Sequence, residues 1–253
     1  MIPGIDASFS RIDRSVFARF RDELGVQVFV QNLWTGGYKH NEQIAAVSAA
    51  NLRDAAAEGL AISGYINANP WWSAAGHSIP SAIANAGEMW DALDALAIDV
   101  EISGTSIDQV KAHVSLARDT GKRTCIYSAH WVWSGLMGNP QPGWITAWGI
   151  PLWNAYYDKA ADIDFSHLPY GPWVEVVGEQ YSGDVTWFGA DVDLNVFKAG
   201  FWRPQPPVSE EPEPAVLPAQ VEALGSAVGE LRASLSAHEA DHLPKRGGEV
   251  TLS

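Results

Sequence analysis

Acidic side chains at two-residue spacing are the clearest chemical feature of this chain. In the run Ile98-Asp99-Val100-Glu101-Ile102, a strand would put Asp99 and Glu101 on one face and Ile98, Val100 and Ile102 on the other. Two carboxyl groups side by side on the inward face of a buried strand repel each other. At least one pKa rises, which is how a carboxylic acid stays protonated near neutral pH and serves as a proton donor. The competing reading is a solvent-facing strand end with no chemical role. Asp6 closes a short apolar run, Gly4-Ile5-Asp6, and a further acidic cluster spans Asp191-Val192-Asp193-Leu194-Asn195. Taken singly these read as surface turns; taken together they set acids at three strand ends.

Such acids need elements that bring distant parts of the chain together. Ile2 to Asp6 reads as a first strand, and Arg14 to Leu24 as a helix with Val16, Phe17, Phe20 and Leu24 at helical spacing and Gly25 as its stop. Val26 to Val30 is a β-branched second strand, followed by an Ala-rich helix from Glu42 to Glu58 that ends at Gly59. Leu60 to Asn67, Leu96 to Ile102 and Arg123 to Ser128 are strands three to five, separated by helices over Ser81 to Leu93 and Ser106 to Thr120. Later strands are expected at Pro151 to Ala155 and Trp173 to Val177. Strand–helix alternation of this kind predicts an α/β fold with a parallel sheet or barrel. In β/α barrels the strand C-termini form the active face. Helical stretches thin out after strand five, so the pattern alone does not announce a complete eight-fold barrel.

Composition narrows the function classes. The chain has 253 residues with a formal net charge of −14; residues 1–203 carry −9 of it and residues 204–253 carry −5. An acidic balance in both parts disfavours nucleic acid as a partner. No apolar run approaches the roughly 20 residues of a membrane span, so no membrane partner is expected. The single cysteine, Cys125, lies in the apolar run Thr124-Cys125-Ile126-Tyr127 and reads as a buried thiol in preference to a nucleophile. Gly121-Lys122-Arg123-Thr124 lacks the glycine spacing of a phosphate loop. Asp184, Asp191 and Asp193 lack the Gly and terminal Glu of a calcium loop. His238 and His242 are helix-spaced but lie in the tail without a Glu-rich metal site, so no metal-ligand role is expected there.

The ordered set Gly4-Ile5-Asp6, Asp99-Val100-Glu101, Ile126-Tyr127-Ser128 with Trp133, Leu152-Trp153-Asn154-Ala155-Tyr156, Gln180-Tyr181-Ser182-Gly183 and Asp193-Leu194-Asn195-Val196-Phe197 resembles glycoside hydrolase family 25, the N-acetylmuramidases or Chalaropsis-type lysozymes. The resemblance covers nearly all of residues 1–203. It implies an irregular TIM-like β/α barrel with fewer helices than strands. It also implies peptidoglycan as substrate, cut at the β-1,4 bond between N-acetylmuramic acid and N-acetylglucosamine, with no metal or organic cofactor. Glu101 maps onto the general acid, its pKa raised on our reading by Asp99. Asp6, Asp99 and Asp193 map onto cleft acids, with Asp6 or Asp193 as stabiliser, nucleophile or water-orienting base. Tyr65, Tyr127, Trp153 and Gln180 are candidate substrate-binding residues, although core packing explains any one aromatic equally well. The segments Ala7-Ser8-Phe9-Ser10, Gly178-Glu179 and Gln31 to Gly37 depart from the family pattern and bear on subsite shape.

Beyond the barrel, residues 204–218 form a Pro/Glu-rich linker. Leu217, Val221, Leu224, Val228, Leu231 and Leu235 then alternate at spacings of four and three, the stripe of a coiled coil. A helix over 219–243 is therefore expected either to form a homo-oligomer or to dock on a partner, with 244–253 as a flexible end. His242-Leu243-Pro244-Lys245-Arg246-Gly247-Gly248 looks like a segment recurrent in phage tail proteins. No signal peptide is visible in the N-terminal residues. Two settings follow: a phage endolysin held in the host cytoplasm until a holin pore releases it, or a virion-mounted lysin. A non-catalytic wall-binding or structural tail protein is the rival reading.

Overall fold

The computed structural model describes residues 1–36, 40–70 and 75–202. The chain divides into two units, Met1–Val208 and Ser209–Ser253. The expected linker, coiled-coil helix and flexible end all lie outside the described residues.

Eight strands close into one barrel in chain order. They are β1 (Ile2–Ala7), β2 (Val28–Trp34), β3 (Ala61–Asn67), β4 (Ala95–Asp99), β5 (Arg123–Ala129), β6 (Leu152–Ala155), β7 (Val176–Trp187) and β8 (Ala190–Phe197). Neighbours from β1 to β7 pair in parallel, whereas β8 runs antiparallel to both β7 and β1. Helices α1 (Arg14–Leu24), α2 (Asn41–Ala57), α3 (Ala75–Ala86) and α4 (Ile107–Asp119) cross between the early strands. After β5 the described helices shrink to a six-residue π turn at Trp131–Leu136 and α5 (Gly143–Ala147). The barrel is thus an irregular β/α barrel, complete where the helical pattern alone did not announce it.

Alternation sorts the strand residues into two cores. Ile5, Phe29, Ile62, Leu96, Ile98, Ile126 and Leu152 face outward under the helices. Val28, Val30, Ala61, Ala95, Ala97, Cys125, Trp153 and Phe197 fill the interior. Small residues stand where a large one crosses: a Cβ on Gly4 would lie 2.3 Å, and one on Gly178 2.5 Å, from the Phe197 ring. Burial pushes the Cys125 thiol upward, so it is an inert packing group.

Several boundaries differ from expectation. The second strand is displaced toward Trp34. Strand four ends at Asp99, so Glu101 lies two residues beyond it. The third helix begins at Ala75 with Pro80 inside and stops before Gly87, whose φ of 56° ends it. The strand expected at Trp173 to Val177 is β7, which begins at Val176 and continues to Trp187. Asp193 does not end a strand but lies within β8; because β8 is antiparallel, its early residues reach the rim formed by the C-termini of the parallel strands. Helix α1 closes at Gly25 with φ 68°, as its residue type suggests. Helix α4 opens on a capping box in which Gln109 N donates to Ser106 Oγ and Ser106 N to Gln109 Oε1.

Candidate active site

The C-terminal rim of the barrel holds a cavity of about 330 Å³. Asp6, Asp99, Glu101, Asp193, Tyr65, Tyr127, Trp153 and Gln180 all line it. Register accounts for the convergence. Asp6 on β1 is paired with Asp193 on β8, and Asp99 on β4 lies between Asn67 on β3 and Tyr127 on β5. Glu101, just past β4, keeps the parity that points it to the same side. A second cavity of about 350 Å³ shares Asp6, Ser8, Phe9 and Asp193 and runs on toward Asp184 and Asp191. Together they outline an elongated acidic cleft.

Four acids in this space occupy four different environments. Asp6 is buried, and its Oδ2 accepts from Gln180 Nε2 at 2.8 Å and Asn195 Nδ2 at 2.7 Å. Desolvation and then the Asp193 charge drive its pKa well above the usual carboxylate range, against the pull of the two amides. Asp99 is also raised, by burial first, then by Glu101 and Asp6. Asn67 Nδ2 donates to its Oδ2, while Oδ1 is buried without a hydrogen bond. Asp193 is part-exposed and raised mainly by burial, with the Asp184 N–H donating to Oδ1 at 2.7 Å. That N–H is aimed by a bulge in β7, where Asp184 takes φ 54°.

Glu101 differs from the other three. Burial, then the charge of Asp193, lifts its pKa to about 7, and no hydrogen bond contributes to the shift. The charge that lifts Glu101 is that of Asp193, across the cleft, while the repulsion expected between Glu101 and Asp99 shows as a raised Asp99. A carboxyl in this state is about half protonated near neutral pH, and no residue among those described hydrogen-bonds to it.

Gln180 has a different position from the one its residue type suggested. Nε2 donates to Asp6 at 2.8 Å and to Asp193 at 3.3 Å, while Oε1 accepts from Tyr127 and Tyr157 hydroxyls, each at 2.7 Å. Two donors and two lone pairs are all in use, so Gln180 ties two acids to two tyrosines and has nothing left for a ligand. Trp153 is 1% exposed, and its Nε1 donates to Asn195 Oδ1 at 3.0 Å. It forms the cleft floor against Tyr127, with ring centroids 4.8 Å apart. Tyr65 shares a hydrogen bond of 2.6 Å with Ser8 Oγ. Burial raises the hydroxyl pKa of Tyr65 and Tyr127, and lifts Tyr157 to about 12, so all three remain protonated donors.

Sequence reasoning passed over Asn195, Asn67 and Tyr157. Asn195 carried a usable signal, since it shares the strand face of Asp193 at two-residue spacing. Asn67 ends a strand and pairs with Asp99, which only register reveals. Tyr157 sits in irregular chain after β6, where no periodicity points to it.

No protein-family model matches this chain. Counting factor 45-1 of Dictyostelium discoideum is 28% identical over 208 residues, covering 76% of this chain and 64% of that protein. The "Probable GH family 25 lysozyme 3" of the same organism is 25% identical over 215 residues, covering 77% of this chain and 40% of that protein. The chain therefore spans less than two thirds of the length of these curated relatives. Among solved structures, the muramidase from Acremonium alcalophilum superposes with a TM-score of 0.57 at 19% identity, covering 79% of this chain and 94% of that one. What these likenesses establish is a shared architecture: this chain has the irregular β/α barrel that a known muramidase also has.

Proposed function

We propose that this chain is a lysozyme-type glycoside hydrolase that cuts the β-1,4 bond between N-acetylmuramic acid and N-acetylglucosamine in peptidoglycan. One observation carries the reading. Four carboxyl groups from distant parts of the chain meet at one rim of the barrel, and one of them, Glu101, is held near pKa 7. Glycoside cleavage needs a proton on the leaving oxygen and negative charge beside the oxocarbenium-like centre that develops at the sugar carbon. Glu101 supplies the first. Asp193, whose charge acts on both Glu101 and Asp6 and which Gln180 ties to Asp6, supplies the second. As Glu101 gives up its proton the bond to the leaving sugar breaks, and water delivers hydroxide to the sugar carbon while its other proton returns to a carboxylate. The cleft runs on past the acids along Asp184 and Asp191, which suits a polymer gripped on both sides of the cut.

Purified cell walls provide the test. Wild-type protein is expected to reduce turbidity and to create new reducing ends, and Glu101→Gln to lose 10²- to 10⁴-fold of that rate, about the contribution of general acid catalysis. Wall binding without new reducing ends would support the non-catalytic alternative; equal rates in both proteins would remove Glu101 from the mechanism. The stripe over 219–243 and the phage-like ending support a finer reading: a phage lysin, either released from the host cytoplasm or mounted as a self-associated virion component. Sedimentation of the full chain as a strict monomer would remove the mounted version.

A further inference from the structure

The connection from β6 to β7, Tyr156 to Glu175, is the one long barrel crossing with no helix or strand of its own. Its inner part lies against Glu179 on β7. Gln180 faces the cleft, so its neighbour Glu179 faces the opposite way, outside the barrel. Ligand oxygens of Asp158, Asp162 and Glu179 all lie within 4.8 Å of one another. Glu179 is 0% exposed, while both aspartates are exposed. Its Oε2 accepts from Asn154 Nδ2 at 3.3 Å. Its Oε1 is sealed from water with no hydrogen bond, although the nearby Asp164 N–H favours the charged form. Among the described residues no lysine, arginine or histidine pairs with any of the three; the nearest ion pair in sequence joins His167 to Asp164.

Three acids converging on a buried oxygen with no donor repel one another, and burial together with the charges of Asp158 and Asp162 pushes Glu179 up to about 7; a bound cation would relieve that repulsion with the carboxylates left ionised. We infer that Asp158, Asp162 and Glu179 form a binding site for a hard divalent cation, calcium foremost, which fastens the β6–β7 crossing to the barrel wall. Oxygens that ligate one calcium at roughly 2.3–2.6 Å lie up to about 5 Å apart, so this cluster has the right span. A set composed only of carboxylate oxygen, with neither imidazole nor thiolate, selects calcium or magnesium over zinc and copper. Magnesium demands a smaller, near-octahedral shell, which suits a loop-borne set less well. The site does the work that a packed helix does elsewhere in the barrel: it holds a crossing in place, and that crossing carries Tyr157, which donates to Gln180. The cleft acids take no part in it, so it stands or falls apart from the hydrolase reading.

The test is thermal unfolding and calorimetric titration of the full chain after chelator treatment. Calcium is expected to bind saturably and to raise Tm by roughly 5–10 °C at about a hundred times Kd. Magnesium is expected to act more weakly. Glu179→Gln should remove the calcium response. Should that variant not fold, Asp162→Asn, at an exposed position, should lower calcium affinity at least tenfold while leaving the metal-free Tm unchanged or higher, since it relieves like-charge repulsion. Absence of any calcium shift at about 10 mM, above the roughly millimolar Kd of weak sites, overturns the inference. So does a shift that persists in the Asp158→Asn/Asp162→Asn double variant.

Discussion

Glu101 and Gln180 divide the labour of the cleft, one holding a mobile proton and the other holding everything around it still. On the mechanism proposed above Glu101 is the acid, so hydrolysis should fall as pH rises through about 7, where its proton is lost. A pH–rate profile of wall cleavage checks this. The same shift has a parallel consequence for stability. The folded-state pKa of Glu101 lies above its ordinary value of 4.5, so the native state binds more protons than the unfolded one. Stability is full below the unfolded carboxylate pKa and declines as pH climbs through about 7. Asp6 and Asp99, raised in the same direction, add to the decline. Tm should therefore drop by several degrees between about pH 4 and pH 8, and Glu101→Gln should flatten the drop while losing catalysis. Gln180→Leu removes the 2.7 Å acceptor of the Tyr127 hydroxyl and weakens the hold on Asp6, both buried; denaturant titration should show a loss of about 2–3 kcal/mol. The acids were legible in the sequence because few residue types do acid–base work and their parity along a strand is visible. Gln180 was legible only as a polar residue near them, since saturation of its amide is a property of four partners scattered from Asp6 to Asp193.

Among the elements, β7 and β8 decide whether the acids meet. They form a hairpin whose two-residue turn, Phe188-Gly189, takes φ 56° and 82°. A phenylalanine in that conformation hides the hairpin from a reader looking for Asn-Gly. Packing accounts for it: the Phe188 ring lies 5.3 Å from Phe20 and 3.7 Å under the Arg19 guanidinium. This is tertiary compensation for a locally unfavourable turn, and it explains why β7 was expected to be short and β8 was read as an acidic cluster. The early strands and α1, α2 and α4 were legible because their apolar periodicity and terminal glycines act locally. Further along the same hairpin, Phe197 crosses the barrel floor between Gly4 and Gly178. Gly178→Ala would set a methyl 2.5 Å from that ring. Overpacking of this kind should cost about 1–3 kcal/mol, read by chemical denaturation.

At the scale of the molecule, the barrel is plugged from below by Trp202. It is 0% exposed, packs on Phe197 with centroids 4.5 Å apart, and donates from Nε1 to Val177 O at 3.2 Å. A chain ending at residue 208, the limit of the first unit, should keep the cooperative unfolding of the barrel and its wall-cutting rate. Trp202→Ala in that shortened chain should lose about 3–5 kcal/mol. Circular dichroism melts of the two proteins check both statements.

The β1–β8 pairing has a consequence in time as well as in space. Asn195 reaches back 189 positions to hold Asp6, so the first strand of the barrel waits for the last before the cleft exists. A chain that stops short of β8 carries Asp6 and Glu101 without Asp193 and Asn195 and is expected to be inactive on cell walls. On the proposed mechanism, wall cutting is therefore expected only once β8 has closed the ring and brought Asp193 and Asn195 to Asp6.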